Sequence, residues 1–176
     1  EEMEACRAAG VPCVVVPGVT SAIAVPALAD VPVTHRRLSR SFAVVTGRSE
    51  GAAVLPPHDY AALARIETLV LLMTRSNLRE FTARLIEEGR DPATPAAAIA
   101  DGSTPDQHAV VATLATIADR ADEAGLTAPV TTVIGSTAAF AARSRRAAAG
   151  RRVRPLAGRR IVLTQAPTST SVLRDR

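Results

Sequence analysis

The sequence predicts an α/β fold with a mixed β-sheet flanked by helices. Short apolar runs that fit buried strands alternate with helical patterns, and short loops join them along most of the chain. Two of the runs, residues 95–100 and 108–114, are separated only by a turn, so they fit an antiparallel hairpin. Hydrophobic residues make up 47% of the 176 residues and charged residues 22%, which is enough apolar material for a folded core.

The first predicted elements are a helix and a strand. Residues 1–9 fit a helix that Gly10 ends, and residues 13–16 include three consecutive valines that fit a buried strand. The chain starts at Glu1 inside the helical pattern, without a cap or a methionine, and residues 173–176 also stop inside a helical pattern. We therefore expect this sequence to be a piece of a longer chain.

A turn and a short helix follow the predicted strand. Pro17-Gly18 breaks the strand, and Thr20 or Ser21 can cap an apolar helix over residues 20–29. Because Pro26 falls inside this helix, we expect a kink or a break there. Hydroxyls and backbone N–H groups at such a turn are well placed for a ligand, although an ordinary connecting loop fits the same pattern.

The middle of the chain supplies most of the predicted sheet. Strand patterns cover residues 41–46, 67–73, 95–100, 108–114 and 129–134. Helical patterns cover residues 59–65, 76–88 and 114–124. The run at 67–73 is the most apolar and fits a central strand, while Ser76 or Asn77 can cap the helix that follows it.

Composition argues against several classes of function. Aromatic residues make up only 2% of the chain, so few side chains could stack on bases. All 21 basic residues are arginine, and the net charge of +4 is concentrated between residues 143 and 160, which fits a solvated linker. Apolar runs of bilayer-spanning length do not occur in the sequence. We therefore expect neither a nucleic-acid partner nor a membrane association.

The cysteines and histidines do not have the spacing of metal ligands. His35, His58 and His108 are scattered, and the two cysteines do not form a Cys-x-x-Cys pair. Cys6 and Cys13 fit small core residues of a reduced, cytoplasmic protein. We expect no metal site and a cytoplasmic location.

Four motifs at predicted turns resemble those of the tetrapyrrole methylase family. They are PGVTSA at 17–22, PVTHR at 32–36, Leu72-Met73, and DGSTP at 101–105. Their order and spacing match the family over residues 1–135, and the first two strings resemble especially the members that methylate uroporphyrinogen III. The resemblance implies two α/β domains with S-adenosylmethionine bound in the cleft between them.

The resemblance also divides the chain. Residues 1–16 would be the last helix and strand of a first domain, and residues 17–140 would be the second domain. Residues 141–157 are an Arg/Ala-rich linker, and residues 158–176 would begin a further domain. The stretch 155–164 resembles the opening strand of the uroporphyrinogen-III synthase family. The glycine-rich loops of the family's first domain do not occur in this sequence, so we expect this chain to be inactive alone.

Several residues match family positions around the cofactor. Thr20 and Ser21 would offer hydroxyls to its carboxylate, and Met73 would pack against the adenosyl group. Gly102 would let the backbone approach the cofactor, and Pro129-Val130 would add backbone to the adenine side. Each of the first four residues also has an explanation without a ligand. Thr20 and Ser21 could simply cap a helix, Met73 could be a buried core residue, and Gly102 could be an ordinary turn glycine.

Two further residues match family positions near the substrate. Arg36 would bind a carboxylate of uroporphyrinogen III, which carries eight of them, although a surface arginine fits equally. Glu1 would assist proton removal from the methylated pyrrole carbon, although a frayed terminus also fits. Two positions depart from the family pattern. Thr74 stands where glycine is usual and could crowd the cofactor, and Ala100 stands where an acidic residue is usual.

The function that the resemblance implies is C-methylation of uroporphyrinogen III to precorrin-2, with S-adenosylmethionine as methyl donor and a homodimer as the assembly. In-line attack of an electron-rich pyrrole carbon on the sulfonium methyl requires no metal. Two alternatives stay open. One is a methylase of the same fold that acts on a later corrin intermediate, and the other is a non-catalytic dimerisation module.

Overall fold

The computed structural model describes residues 2–47 and 58–141, which all belong to one compact unit, Glu1–Arg145. The helices are α1 (Glu2–Ala8), α2 (Ser21–Leu28), α3 (Tyr60–Ala64), α4 (Leu78–Glu87) and α5 (Ile117–Glu123). The strands are β1 (Phe42–Thr46), β2 (Thr68–Leu72), β3 (Pro95–Ala100), β4 (His108–Thr113) and β5 (Val130–Ile134). The predicted linker and further domain, beyond residue 141, lie outside the described residues.

The five strands form one mixed sheet in the order β1-β2-β5-β3-β4. β1 and β2 are parallel, whereas the pairs β2–β5, β5–β3 and β3–β4 are antiparallel. The mixed α/β fold is therefore confirmed, as are the hairpin of β3 and β4 and the interior position of β2. This order makes β1, β2 and β3 run in the same direction, so their carboxyl ends and the amino end of β5 lie at one edge.

Small aliphatic side chains fill the core on both faces of the sheet. On one face, Leu69 and Leu71 of β2 pack beneath α4 and α5. On the other face, Ile99 and Val133 pack beneath α2 and residues 138–141. Alternate residues of a strand point to opposite faces of the sheet. Because both faces are covered here, nearly every residue of a central strand such as β2 or β3 is apolar, and its sequence is a nearly continuous apolar run.

Helix α4 forms because Leu78, Phe81 and Leu85 recur on one face and are completely buried. A single turn of 3₁₀-helix at Arg75–Asn77 precedes it. The predicted side-chain cap at its start is wrong, because Asn77 makes no capping hydrogen bond. Its side-chain amide instead donates to the carbonyl oxygen of Gly47, 3.1 Å away, and so ties α4 to the end of β1.

Helix α2 begins as the sequence predicts. Thr20 is the N-cap, and its Oγ1 accepts a hydrogen bond from the backbone N–H of Ala22 at 3.2 Å. The helix continues through Pro26 to Leu28, so the predicted break is absent. Pro26 lies late in an eight-residue helix, where its ring is buried and only one backbone hydrogen bond is lost.

The predicted strand at residues 13–16 is wrong. In the structure, residues 11–20 have no regular secondary structure, and Val14 and Val16 are 87% and 86% exposed. A strand needs a neighbour for its backbone groups, and within the described ranges none of the five strands pairs with this segment. Cys13 is consequently exposed and Cys6 only partly buried, which corrects their predicted place in the core.

The described residues contain no helix that is long and apolar enough to cross a membrane. The longest helix within residues 2–47 and 58–141, α4, has ten residues. A span of the hydrocarbon core takes about 20.

Candidate functional site

A cleft opens at the edge of the sheet where β2 and β3 end and β5 begins. Its volume is about 1030 Å³. Leu72 and Met73 from the end of β2 form one wall, and residues 126–131 before and within β5 form another. The rest of the lining consists of Ser21 and Val25 of α2, Arg75 and Ser76 after β2, and Ile99 and Gly102 at the end of β3. Ligands of α/β proteins collect at this kind of edge, outside the carboxyl ends of strands.

The structure brings together three of the four residues that were assigned to the cofactor. Ser21, Met73 and Gly102 all line the cleft, although they come from three different elements. Thr20 is adjacent to Ser21 and uses its hydroxyl to cap α2. Pro129 and Val130, also assigned to the cofactor, line the cleft where β5 begins beside the end of β2, and the Ala128–Pro129 peptide bond is cis.

Gly102 is needed for packing between the turn and α2. A Cβ atom at this position would lie 2.4 Å and 2.5 Å from the two γ-carbons of Val25. Nonbonded carbon atoms prefer separations of about 3.5–4.0 Å, so any side chain here would push the helix away. The missing side chain therefore lets the turn after β3 lie directly against α2, and both residues of this contact line the cleft.

Three residues in or beside the cleft lining have a strained backbone. Met73 (φ 54°), Asp101 (φ 50°) and Ser103 (φ 70°) occupy the left-handed region, which costs a residue with a side chain about 1–2 kcal/mol. The hydrogen bonds that hold the turn include those from Thr104 Oγ1 to the Asp101 carbonyl and from the Ser103 N–H to Gln107 Oε1. Strained residues of this kind are common at binding sites.

Thr74 does not crowd the cleft. Its side chain is completely buried and packs on Gly47, where an added Cβ would lie 2.2 Å from Thr74 Cγ2. Its Oγ1 is buried without a hydrogen-bond partner. The threonine that departs from the family pattern is thus accommodated behind the wall formed by Met73, because Gly47 has no side chain.

Of the two residues assigned to the substrate, only Arg36 lies in the part of the chain that the structure describes. Arg36 is exposed on the turn that the bridge between His35 and Ser39 closes, and it does not contribute to the lining formed by the described residues. Glu1 lies outside the described residues. The structure therefore brings the cofactor assignments together but leaves Arg36 apart from them.

One cleft residue, Arg75, was not found from the sequence. Its Nε donates to the carbonyl oxygen of Leu126 at 2.6 Å, and its Nη2 lies 2.7 Å from Asp122 Oδ1. Together with a weaker contribution from Arg79, this pairing holds the pKa of the Asp122 carboxyl below its ordinary value. The partners lie 47 and 51 residues away, so sequence spacing gave no signal for the contact.

A metal site is not formed by the described residues, because no three His, Cys, Asp or Glu side chains lie close enough together. The lining of the cleft is mostly apolar, with hydroxyls from Ser21, Ser76, Thr127 and Thr131. This chemistry suits an organic ligand with a large apolar surface and a few polar groups.

A mixed α/β sheet with an apolar cleft at its strand ends defines a class of small-molecule-binding α/β proteins. The family model for Tetrapyrrole (Corrin/Porphyrin) Methylases matches residues 1–118. The chain belongs to the tetrapyrrole methylase family.

Named relatives align with about three quarters of this chain. A siroheme synthase of Azotobacter vinelandii is 41% identical over 136 residues, which are 77% of this chain and 29% of the relative. An S-adenosyl-L-methionine-dependent uroporphyrinogen III methyltransferase of Methanosarcina barkeri is 40% identical over 136 residues and is covered to 53%. The chain therefore spans between about a third and a little over half of the length of these relatives.

One similar solved structure was determined with a bound ligand. It is the uroporphyrin-III C-methyltransferase of Thermus thermophilus in complex with S-adenosylhomocysteine, with a TM-score of 0.66 and 34% sequence identity. The match covers 77% of this chain and 58% of the Thermus chain.

Proposed function

We propose that the cleft binds the cofactor S-adenosylmethionine and that this chain is the second-domain part of a uroporphyrinogen-III C-methyltransferase. The observation that carries the proposal is the meeting of Ser21, Met73 and Gly102 in one cleft. They match family cofactor positions but come from separate elements. Relatives that are about 40% identical and are named for this cofactor and substrate support the same activity.

The cleft fits the cofactor in size and chemistry. Its volume of about 1030 Å³ reaches the upper end of the range typical of small-molecule sites, about 300–1,000 Å³. Apolar side chains such as Val25, Leu72 and Ile99 offer a surface for the adenosyl group. The hydroxyls of Ser21 and Thr127 offer hydrogen bonds for its polar ends.

When bound, S-adenosylmethionine supplies an electrophilic methyl group on its sulfonium sulfur. The residues of this chain would contribute orientation and exclusion of water. The apolar wall at Leu72 and Met73 would keep water from one side of the reacting atoms, and the rigid turn at Gly102 would fix the ligand's position. Arg36, exposed and always charged, would bind a carboxylate of the substrate from outside the cleft.

A titration followed by amide NMR tests the cofactor site. S-adenosylhomocysteine added to the chain should shift the amide resonances of Ser21, Met73 and Gly102. Met73→Ala should weaken the affinity about threefold to tenfold because apolar contact is lost. Leu28→Ala is the matched control, because Leu28 is similarly exposed (57% against 60% for Met73) but does not line the cleft. Shifts confined to other residues, or none at millimolar ligand, would contradict the proposal.

Methyl transfer is a separate measurement. Because the chain spans only part of its relatives, we expect no transfer of labelled methyl from S-adenosylmethionine to uroporphyrinogen III by this chain alone. Transfer to a later corrin intermediate, with none to uroporphyrinogen III, from a protein that contains this chain and a first domain would favour the alternative methylase.

The proposal includes a homodimer and a cytoplasmic location. Phe42 and Val44 lie on one face of the edge strand β1 and are exposed, as is Leu38 just before it. Exposed apolar residues on a sheet edge favour association. Light scattering should give twice the chain mass, and Val44→Arg should give the chain mass, whereas Leu28→Arg on α2 should leave the dimer intact. A monomeric wild-type chain would contradict the dimer.

The domain division is also part of the proposal. Residues 17–140 would form the second methylase domain, and residues 141–157 would link it to a synthase-like domain that begins at 158. The support is that the compact unit ends at Arg145, within the proposed linker. Limited proteolysis should therefore cut first among the arginines of residues 143–160, and a stable fragment ending before residue 130 would contradict the division.

A further inference from the structure

Arg75 connects two walls of the cleft that are distant in sequence. It follows Met73, at the end of β2, by two residues, and its side chain is only 23% exposed. Its Nε donates to the Leu126 carbonyl oxygen at 2.6 Å, at the start of the segment that leads through Pro129 into β5. A charged donor on a backbone carbonyl makes a stronger hydrogen bond than a neutral donor.

A network of charges holds the Arg75 guanidinium in this orientation. Asp122 of α5 binds Arg75 through Oδ1 at 2.7 Å and Arg79 through Oδ2 at 2.8 Å. Arg79 also pairs with Asp119. Both oxygens of Asp122 are therefore engaged, which fixes the carboxylate opposite Arg75 and points the guanidinium toward Leu126.

Arg79 provides an internal comparison for Arg75. Both arginines bind Asp122 and lie near the start of α4. Arg79 is 63% exposed, does not line the cleft, and its hydrogen bonds are to aspartate side chains. Of the two arginines, only Arg75 donates to a backbone carbonyl of the cleft lining, that of Leu126.

We propose that Arg75 is a positioning residue that fixes the separation between the end of β2 and the segment Leu126–Pro129, beyond Leu72–Thr131, the last pair of the β2–β5 ladder. This inference rests on the proposed function, because that separation decides how an adenosyl group fits between Met73 and the backbone before β5. Arg75 acts through the Leu126 carbonyl and not by contact with the reacting atoms.

The test compares Arg75→Gln with Arg79→Gln in the full chain. The first readout, hydrogen–deuterium exchange without ligand, is independent of cofactor binding. Arg75→Gln should speed the exchange of two hydrogen-bonded amides beside this segment about tenfold, that of Leu126, which donates to Ala121, and that of Asp101, which donates to Pro129. Arg79→Gln should change both rates less than twofold. The second readout is the affinity for S-adenosylhomocysteine, which Arg75→Gln should weaken about tenfold and Arg79→Gln less than twofold.

Arg75→Lys distinguishes positioning from simple loss of charge. A lysine keeps the positive charge but has no planar fork that reaches both the Asp122 carboxylate and the Leu126 carbonyl, so its exchange rates should lie between those of wild type and Arg75→Gln. Equal effects of Arg75→Gln and Arg79→Gln on both readouts would overturn the inference. A third outcome separates the two proposals. If amide exchange is faster only in Arg75→Gln but the wild-type chain does not bind S-adenosylhomocysteine, the proposed function is overturned, whereas the anchoring of the segment Leu126–Pro129 by Arg75 is supported.

Discussion

The contact between Gly102 and Val25 gives the sharpest test of the cleft geometry. In Gly102→Ala, the new Cβ would lie 2.4 Å and 2.5 Å from the γ-carbons of Val25 and 2.9 Å from its Cβ. The backbone φ of Gly102 lies outside the left-handed region, so the alanine is opposed by contact and not by conformation. Overpacking of this kind costs about 2 kcal/mol. For a unit of this size, that lowers the Tm by about 7 °C.

Thermal and urea unfolding measure this loss, and Gly18→Ala is the control. An added Cβ at Gly18 has no atom within 4 Å, so its free energy of unfolding should stay within about 0.5 kcal/mol of wild type. Adding Val25→Ala to Gly102→Ala removes the two closest carbons. The double variant should therefore lose less stability than the sum of the single variants, by about 1 kcal/mol.

The same variant should also weaken the binding of S-adenosylhomocysteine, because the amino end of α2 carries Ser21 into the cleft. Equal unfolding curves for Gly102→Ala and Gly18→Ala would refute the packing of the turn on α2. Strictly additive losses in the double variant would refute the contact with Val25 as the cause.

Three further perturbations test other parts of the structure. Thr74→Val removes a buried hydroxyl without a partner and should raise the free energy of unfolding, measured in urea, by about 1 kcal/mol. A decrease would show that the Thr74 hydroxyl stabilises the fold. Arg90→Met removes four hydrogen bonds to backbone carbonyls and should lower it by about 3 kcal/mol, and a loss below about 1 kcal/mol would show that the guanidinium is dispensable. The backbone N–H groups of Arg40 and Ser41 lower the pKa of the Glu67 carboxyl, so Glu67 stabilises the fold above its ordinary pKa of 4.5, and this contribution is lost as the pH falls through the lowered value. Glu67→Gln should thus be less stable than wild type at pH 7, with a difference that shrinks below pH 4.5, and a difference independent of pH would refute the role of the charge.

Local patterns were sufficient for most of the sheet and its helices. The hairpin of β3 and β4 and the helix α4 depend on short-range signals, namely an apolar run, a turn and helical spacing, and these signals agree with the tertiary packing. Residues 13–16 carry an equally strong strand signal, but a strand also requires a neighbour. In the described structure this segment has none, so three valines stay exposed.

The site was predictable only where a turn sequence carries the information. The motifs at Met73 and Gly102 follow the ends of β2 and β3, which meet at one edge of the sheet, and the motif at Ser21 begins α2, whose amino end lines the same cleft. Arg75 carries no such mark, because its role depends on a carbonyl oxygen 51 residues away. The predicted cap of α4 failed for a similar reason, since Asn77 donates across the fold to Gly47 and not within its own helix, whereas the cap of α2 by Thr20 is local and is confirmed.

Thr74 illustrates how a departure from a family pattern can leave the site unaffected. A β-branched residue after Met73 was expected to crowd the cofactor, yet its side chain lies on the far side of the strand end and packs on Gly47. The methyl group fills the space that the glycine leaves, at the cost of a buried hydroxyl without a partner. The two positions should therefore be coupled. Gly47→Ala should be strongly destabilising beside Thr74 and much less so in a Thr74→Gly background, as a double-mutant cycle would measure.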